Sequence, residues 1–214
     1  LNENEFVQNV GKLKLIKAEI ANIVPLSDVE VKILLNDFDN SYFGIRNKLM
    51  VMLMLDSGLR RGEVVNLESK NIFMHNNTML VQGKGEKERL VPFGEETKRY
   101  INRYSHMRNE YEKRFFQKED GTPITDNTIK MYFQDLKEST GIIRLHPHLL
   151  RHTFATNYIL YGGDVEELRI LLGHTSLQMT MKYVHLATQQ RILNQRYHSH
   201  IDKLFCQYDN KLAQ

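Results

Sequence analysis

Four short stretches of this chain gather proton donors, and the last of them ends on a tyrosine. In "SGLRRGEVVNL", Arg60 follows a Gly-Leu turn at a helix start, with Glu63 three residues on. In "VQGKGEKERLVPF", glycines bracket Lys84, and Lys87 and Arg89 follow. In "HPHLLRHTFATNYIL", His148 and Arg151 stand three apart, side by side on one helix face. In "LLGHTSLQMTMKYVH", His174 follows Gly173 at the head of the helix that carries Tyr183. Taken singly, each has an ordinary reading. Arg60 with Glu63 is a surface ion pair, the lysine hairpin is a solvated basic tip, and a lone histidine is a cap or a packed ring.

Taken together, these residues match the needs of phosphodiester attack by a phenol. The transition state at phosphorus carries extra negative charge on its non-bridging oxygens. Arg60 and Arg151 neutralise that charge through planar, charge-assisted hydrogen bonds. His174 adds a donor, and preorganised donors of this kind usually supply the largest catalytic effect. A phenol has a pKa of about 10, so it needs proton removal or a strongly positive site to become a nucleophile. His148 is the candidate base, and Lys84 the candidate acid for the departing 5′ oxygen.

Competing chemistries fit less well. His148 and His152 are spaced i,i+4, which invites zinc. However, no glutamate occupies the middle of that turn, the chain has one cysteine, and Arg151 would repel a divalent cation. The hairpin lacks the G-x-x-x-x-G-K-[ST] spacing of a nucleotide-binding loop. No cofactor is expected, and no metal.

The elements that must position these groups are mostly helical. Ser27 and Glu30 form a capping box before Val31, Leu34 and Leu35. "IRNKLMVMLMLDS" is apolar nearly all round, predicting a buried helix that Gly58 ends. "NIFMH", "TMLVQ" and "ERLVPF" predict a three-stranded antiparallel meander. Helical patterning resumes near Glu95, with breaks near Gly121, Gly141 and Gly162–Gly163. Within the last block, Leu177, Met181 and Val184 fall on one stripe, and Tyr183 falls at about 240° from Leu177. The wheel therefore predicts a tyrosine outside the core.

Composition sets the bounds. The chain has 214 residues, 41% of them hydrophobic and 26% charged, and a net charge of +3. This is ordinary for a soluble globular protein, and only mildly basic. The single cysteine, Cys206, excludes an internal disulfide and suits a reducing compartment. No apolar run reaches the length of a membrane span, so no membrane partner is expected. The chain starts with Leu1 and not Met, and is read as a fragment or processed product.

The same four blocks resemble the catalytic domain of the tyrosine recombinases, also called phage integrases, over about residues 25–188. "SGLRRGE" looks like the first arginine motif, "GKGEKERLVP" like the hairpin lysine motif, "HLLRH" like the His-x-x-Arg-His box, and "LLGHTSLQMTMKYVH" like the closing block. The resemblance implies catalytic roles for Arg60, Lys84, His148, Arg151, His174 and the nucleophile Tyr183. Glu63 supports Arg60, and His152 is an adjacent packing or structural position. Gly62 stands where serine is common in the family, and Met179 precedes Thr180 where paired threonines are frequent.

It further implies an α+β fold, mainly α with a small three-stranded antiparallel sheet, and site-specific DNA recombination or integration through a 3′-phosphotyrosine, without metal or ATP. The partners it implies are double-stranded DNA and a homo-tetramer on that DNA, with monomers or weak association otherwise. The setting is the cytoplasm of a prokaryotic cell, with the gene borne by the cell, a phage or a mobile element. Residues 1–24 are expected to be a linker or the remnant of a missing N-terminal DNA-binding domain. Residues 189–214, where Leu193, Tyr197, Ile201, Leu204 and Tyr208 recur at helical spacing, are expected to be a helical tail that packs on its own domain or, as the resemblance implies, docks on a neighbouring protomer. Type IB topoisomerases share the chemistry, but the short chain and compact spacing favour a recombinase. A catalytically silent DNA-binding protein on the same fold is the remaining alternative.

Overall fold

The computed structural model describes residues 24–83 and 88–193. Helix α1 spans Asp28–Asn36 and starts as the sequence predicts. The Ser27 hydroxyl accepts from the Glu30 N–H, and the Glu30 carboxylate accepts from the Ser27 N–H at 2.8 Å. Helix α2, Tyr42–Asp56, is the apolar run, and Leu49, Val51, Leu53 and Met54 are wholly buried along it. An all-round apolar helix has no solvent face to choose, so it becomes the centre of the molecule.

Gly58 ends that segment with φ +64°. A Cβ placed there would sit 2.4 Å from the Phe154 ring, so both the backbone sign and the close approach require glycine. Helix α3, Arg61–Asn66, follows at once.

The meander is present, with β1 Ile72–Phe73, β2 Thr78–Gln82 and β3 Glu88–Pro92 in antiparallel order β1-β2-β3. Met79 pairs with Val91 and Val81 with Arg89, and Met79, Val81 and Val91 point into the core. Alternation along β3 therefore turns Arg89 inward beside Val91.

Helix α4, Glu95–Ser105, is shorter than the sequence pattern predicts. Residues 106–125 form an irregular segment and not a continuing helix. Its backbone is held by side chains: Arg108 donates to the Phe115 and Arg114 carbonyls, and the Gln117 N–H donates to the Tyr104 hydroxyl at 3.0 Å. Tyr104 also stacks on Phe116. These long-range partners replace the helical hydrogen bonds that local pattern alone suggests.

Four helices remain: α5 Asp126–Thr140, α6 Pro147–Leu160, α7 Val165–Leu172 and α8 Gln178–Leu193. Helices α5 and α7 end on left-handed glycines, Gly141 and Gly173. The core has two clusters. The larger joins α2, the sheet, α4 and α5, and the smaller joins α6, α7 and α8. Helix α6 serves both, through Leu149 and Leu150 at one end and Ala155 and Ile159 at the other. Arg151 sits on α6 where one cluster gives way to the next. Among the described residues, no helix is long and apolar enough to cross a membrane.

Candidate active site

Glu63 is the hub of the site. Its side chain is 4% exposed, and two arginines grip it. Arg60 caps α3 from just outside the helix, giving its backbone N–H to Oε2 at 2.8 Å and Nη1 to Oε1 at 2.9 Å. Arg89 reaches over from β3 and binds both oxygens, Nη1 to Oε1 at 2.8 Å and Nη2 to Oε2 at 2.9 Å. The Arg151 guanidinium lies 4.0 Å from Oε2. Burial opposes the charge on Glu63, but hydrogen bonds and charge from Arg89, helped by Arg60 and Arg151, win and hold its pKa below the usual carboxylate range.

The same three arginines converge on the end of α7. Leu172 O accepts from Arg60 Nη2 at 3.0 Å and from Arg151 Nη2 at 2.5 Å. Leu171 O accepts from Arg89 Nε at 2.7 Å, and Gly58 O accepts from Arg151 Nη1. Carbonyls in the last turn of a helix lack intrahelical donors and carry the negative end of its dipole. They aim the guanidinium groups without neutralising them. Three cations around one carboxylate leave an excess of two positive charges, which is a site built for an anion. Burial and the repulsion from Arg60 bring the pKa of Arg151 down to about 10, still well above neutrality. Arg60 is the exposed member, with 34% of its side chain accessible.

The histidines flank this cluster. His148, on the first turn of α6, lines a cavity of about 580 Å³ together with Arg60, Arg61, Glu63 and Gln82. Burial, then the charges of Arg151, Arg61 and Arg60, lower its pKa, so it is a neutral acceptor at pH 7. His174 is buried in the turn after α7, its Nδ1 2.9 Å from the Thr180 hydroxyl and its ring stacked against that of Tyr183. Burial and the Arg151 and Arg60 charges bring it down to about 4.

Tyr183 corrects the wheel. It is 1% exposed, packed in the smaller core cluster with Ala155, Ile159, Leu168 and Leu172. The buried face of α8 runs through Thr180, Tyr183, Leu186 and Ala187, whereas Leu177 is 40% exposed and Met181 only partly buried. The wheel was drawn through the aliphatic residues. Docking on α6 and α7 selects a different face, one that takes Tyr183 and Leu186 with the small Thr180 and Ala187.

The phenol oxygen lies 2.8 Å from His152 Nδ1, which gives His152 a structural contact with the tyrosine. Burial raises the tyrosine pKa to about 12 against the opposing charges of Arg151 and Arg60. The Lys182 ammonium lies over its ring at 5.1 Å.

Thus Arg60, Glu63 and Arg151 are brought into one cluster, His148 and His174 lie beside it, and Tyr183 lies behind His174. Lys84 falls outside the described residues. Arg89 was missed, because it was read as part of a solvated hairpin tip. Its two-residue offset from Val91 was the signal. Among the described residues, no group of three or more His, Cys, Asp or Glu is placed to hold a metal ion.

The sequence also matches the phage integrase family model over residues 25–190. The chain belongs to the phage integrase family. Tyrosine recombinase XerC of Staphylococcus epidermidis is 37% identical over 155 residues, which are 69% of this chain and 51% of that protein. The chain therefore spans about half the length of the curated relatives it matches. The XerA recombinase crystal structure superposes with a TM-score of 0.71 at 29% identity, covering 82% of this chain and 66% of that one. The XerH site-specific recombinase, bound to palindromic difH substrate in a post-cleavage complex, shares the fold at TM-score 0.67 and 22% identity, over 78% of this chain and 51% of that one. The phage integrase fold is thus the mostly helical one with a three-stranded antiparallel sheet that the sequence predicts.

Proposed function

We propose that this chain carries the catalytic domain of a site-specific DNA recombinase or integrase, which cleaves and rejoins strands through a 3′-phosphotyrosine. One observation carries the reading. Arg60 and Arg151 donate to the same Leu172 oxygen, one residue before the turn that leads to His174 and Tyr183. That brings two guanidinium groups to one acceptor with donors unspent, and charge-assisted donors of this kind suit a phosphate. XerC and XerH, as similar proteins, support DNA as the partner.

In this reading Arg60, Arg151 and His174 hold the non-bridging oxygens of the scissile phosphate. Tyr183 leaves His152, loses its proton to His148, and its oxygen forms a bond to phosphorus. The bond from phosphorus to the 5′ oxygen breaks, and that oxygen takes a proton from Lys84 and departs as a hydroxyl. A 5′-hydroxyl from a partner duplex reverses the steps and rejoins the strand. The protein ester keeps the energy of the phosphodiester, so the scheme calls for neither ATP nor metal. The core of this activity is assigned to residues 25–188. Residues 1–24 are read as a linker or the remnant of an N-terminal DNA-binding domain, and residues 189–214 as a helical tail that packs on its own domain or docks on the next protomer of a DNA-bound tetramer; residues 1–23 and 194–214 lie outside the described residues. The enzyme works in a prokaryotic cytoplasm, encoded by the cell, a phage or a mobile element.

The test is a nicked duplex carrying a binding site selected from random-sequence DNA, which traps the cleaved state. The chain is expected to form a protein–DNA adduct that survives a denaturing gel, and Tyr183→Phe to form none. An adduct that persists in Tyr183→Phe overturns the assignment of the nucleophile, and no adduct with the unaltered chain overturns the recombinase reading.

A further inference from the structure

We propose that Arg89 is a positioning residue of this site: by occupying both oxygens of Glu63, it keeps that carboxylate off Arg151 and leaves the Arg151 charge free for phosphate. The inference rests on the recombinase reading and extends it to a residue that touches no substrate.

Geometry fixes Arg89 at both ends. Its backbone is locked into the sheet opposite Val81, and its side chain is 9% exposed. The stem passes under the left-handed turn at Gly173, where an added Cβ would come within 3.3 Å of Cδ. Nε is used by Leu171 O, and Nη1 and Nη2 are used by Glu63. The fork thus faces the carboxylate and the helix end.

Lone-pair accounting shows what this does to Glu63. An ionised carboxylate has about four acceptor positions. Oε1 takes Arg60 Nη1 and Arg89 Nη1, and Oε2 takes the Arg60 N–H and Arg89 Nη2. All four are filled. Arg151 is held by two neutral carbonyls, Gly58 O and Leu172 O, and its only link to the carboxylate is a long ion pair at 4.0 Å with no hydrogen bond. Without Arg89, Oε1 and Oε2 each regain a vacant lone pair, with a guanidinium one short rotation away. The carboxylate then closes on Arg151, and a paired arginine binds phosphate less well than an unpaired one.

The experiment is trapping on the same nicked duplex, with DNA affinity measured in parallel, for Arg89→Met, Glu63→Gln and the double variant. Arg89→Met keeps the aliphatic stem, and is expected to slow adduct formation about 100-fold, the usual scale for a small displacement of a catalytic group. DNA affinity is expected to change by less than about threefold, because the phosphate contacts that dominate binding remain. Glu63→Gln on its own also slows the reaction. In the double variant the freed side chain carries no charge with which to sequester Arg151, so the double is expected to react about tenfold faster than Arg89→Met, a coupling typical of residues in direct contact.

A purely structural role predicts that the double is slower than either single, and that outcome overturns the proposal. So does an Arg89→Met defect that appears equally in affinity. Should Arg89→Met fail to fold by thermal melting, Arg89→Lys, which keeps the charge but loses the fork, takes its place in the same comparison with Glu63→Gln. Failure of the unaltered chain to form an adduct refutes the recombinase reading, while an adduct without rescue refutes only the role of Arg89.

Discussion

The Tyr183 hydroxyl and His152 Nδ1 lie 2.8 Å apart on facing helices, with the tyrosine packed in the smaller core cluster. The residue proposed as nucleophile is therefore held away from solvent in the DNA-free protein. Its raised pKa follows from that burial. Cleavage requires this contact to break, and its loss should be felt as stability before it is felt as rate. We expect His152→Phe to destabilise the DNA-free chain by about 1–3 kcal/mol, the cost of leaving a buried hydroxyl without a partner. Denaturant unfolding measures this. An unchanged midpoint would show that the hydrogen bond contributes nothing to holding the tyrosine.

Acid should unfold the protein through its histidines first. His152 and His174 both have pKa values near 4 in the folded state, against a reference of 6.5, chiefly because burial disfavours the charged ring. A lowered histidine pKa means that the unfolded chain binds more protons between those values. Stability is fully present above pH 6.5 and is lost as pH falls toward 4. Glu63, lowered from 4.5, adds a further loss below that value. Melting temperature measured from pH 7.5 to 4 should fall, and replacing His174 with a neutral isostere should flatten the slope. A pH-independent midpoint over this range would contradict the burial of both rings.

Arg60 and Arg151 should separate by stability, not by chemistry. Both are assigned to the scissile phosphate, so alanine at either is expected to reduce cleavage about 100-fold or more. Arg60 is partly exposed, and its removal should lower the melting temperature less than the removal of Arg151 does. Arg151 is buried with two backbone carbonyls in its grip, and its removal leaves Gly58 O unpaired at a cost of about 1–3 kcal/mol, while Leu172 O keeps Arg60 as its donor. Parallel melting and cleavage assays compare the two. For Arg151→Ala we expect cleavage to suffer far more than DNA affinity, and equal losses would reduce it to an affinity contact.

Gly58 should tolerate no side chain. Gly58→Ala meets a positive φ and the Phe154 ring together, and tilts the carbonyl that holds Arg151. We expect at least about 2 kcal/mol of destabilisation, of which the left-handed backbone supplies about 1–2. Adding Phe154→Ala should restore cleavage only in part, because the backbone strain remains. Full recovery would mean that the clash alone matters.

Local chemistry was legible in the sequence, and long-range docking was not. The Ser27–Glu30 box, the α2 run and the meander depend on residues a few positions apart, and each forms as predicted. The motifs around Arg60, Arg151 and His174 were readable because cationic and donor residue types recur there at short spacings. The burial of Tyr183 was not readable, since the face of α8 is chosen by α6 and α7. The irregular stretch after Ser105 depends on Tyr104 and Arg108 finding distant carbonyls and N–H groups. Arg89 lies between these cases. Strand alternation turned it inward, but only Glu63, from another element, gave it a task.

Leu172 offers the arginines its peptide oxygen and not its side chain. Point mutation exchanges side chains and leaves the main chain in place. Position 172 is thus free to drift among residues that fill the core while the convergence of Arg60 and Arg151 stays fixed. The genetic weak point lies next door at Gly173, where a single codon change to a β-carbon would deform the turn and misdirect the pair.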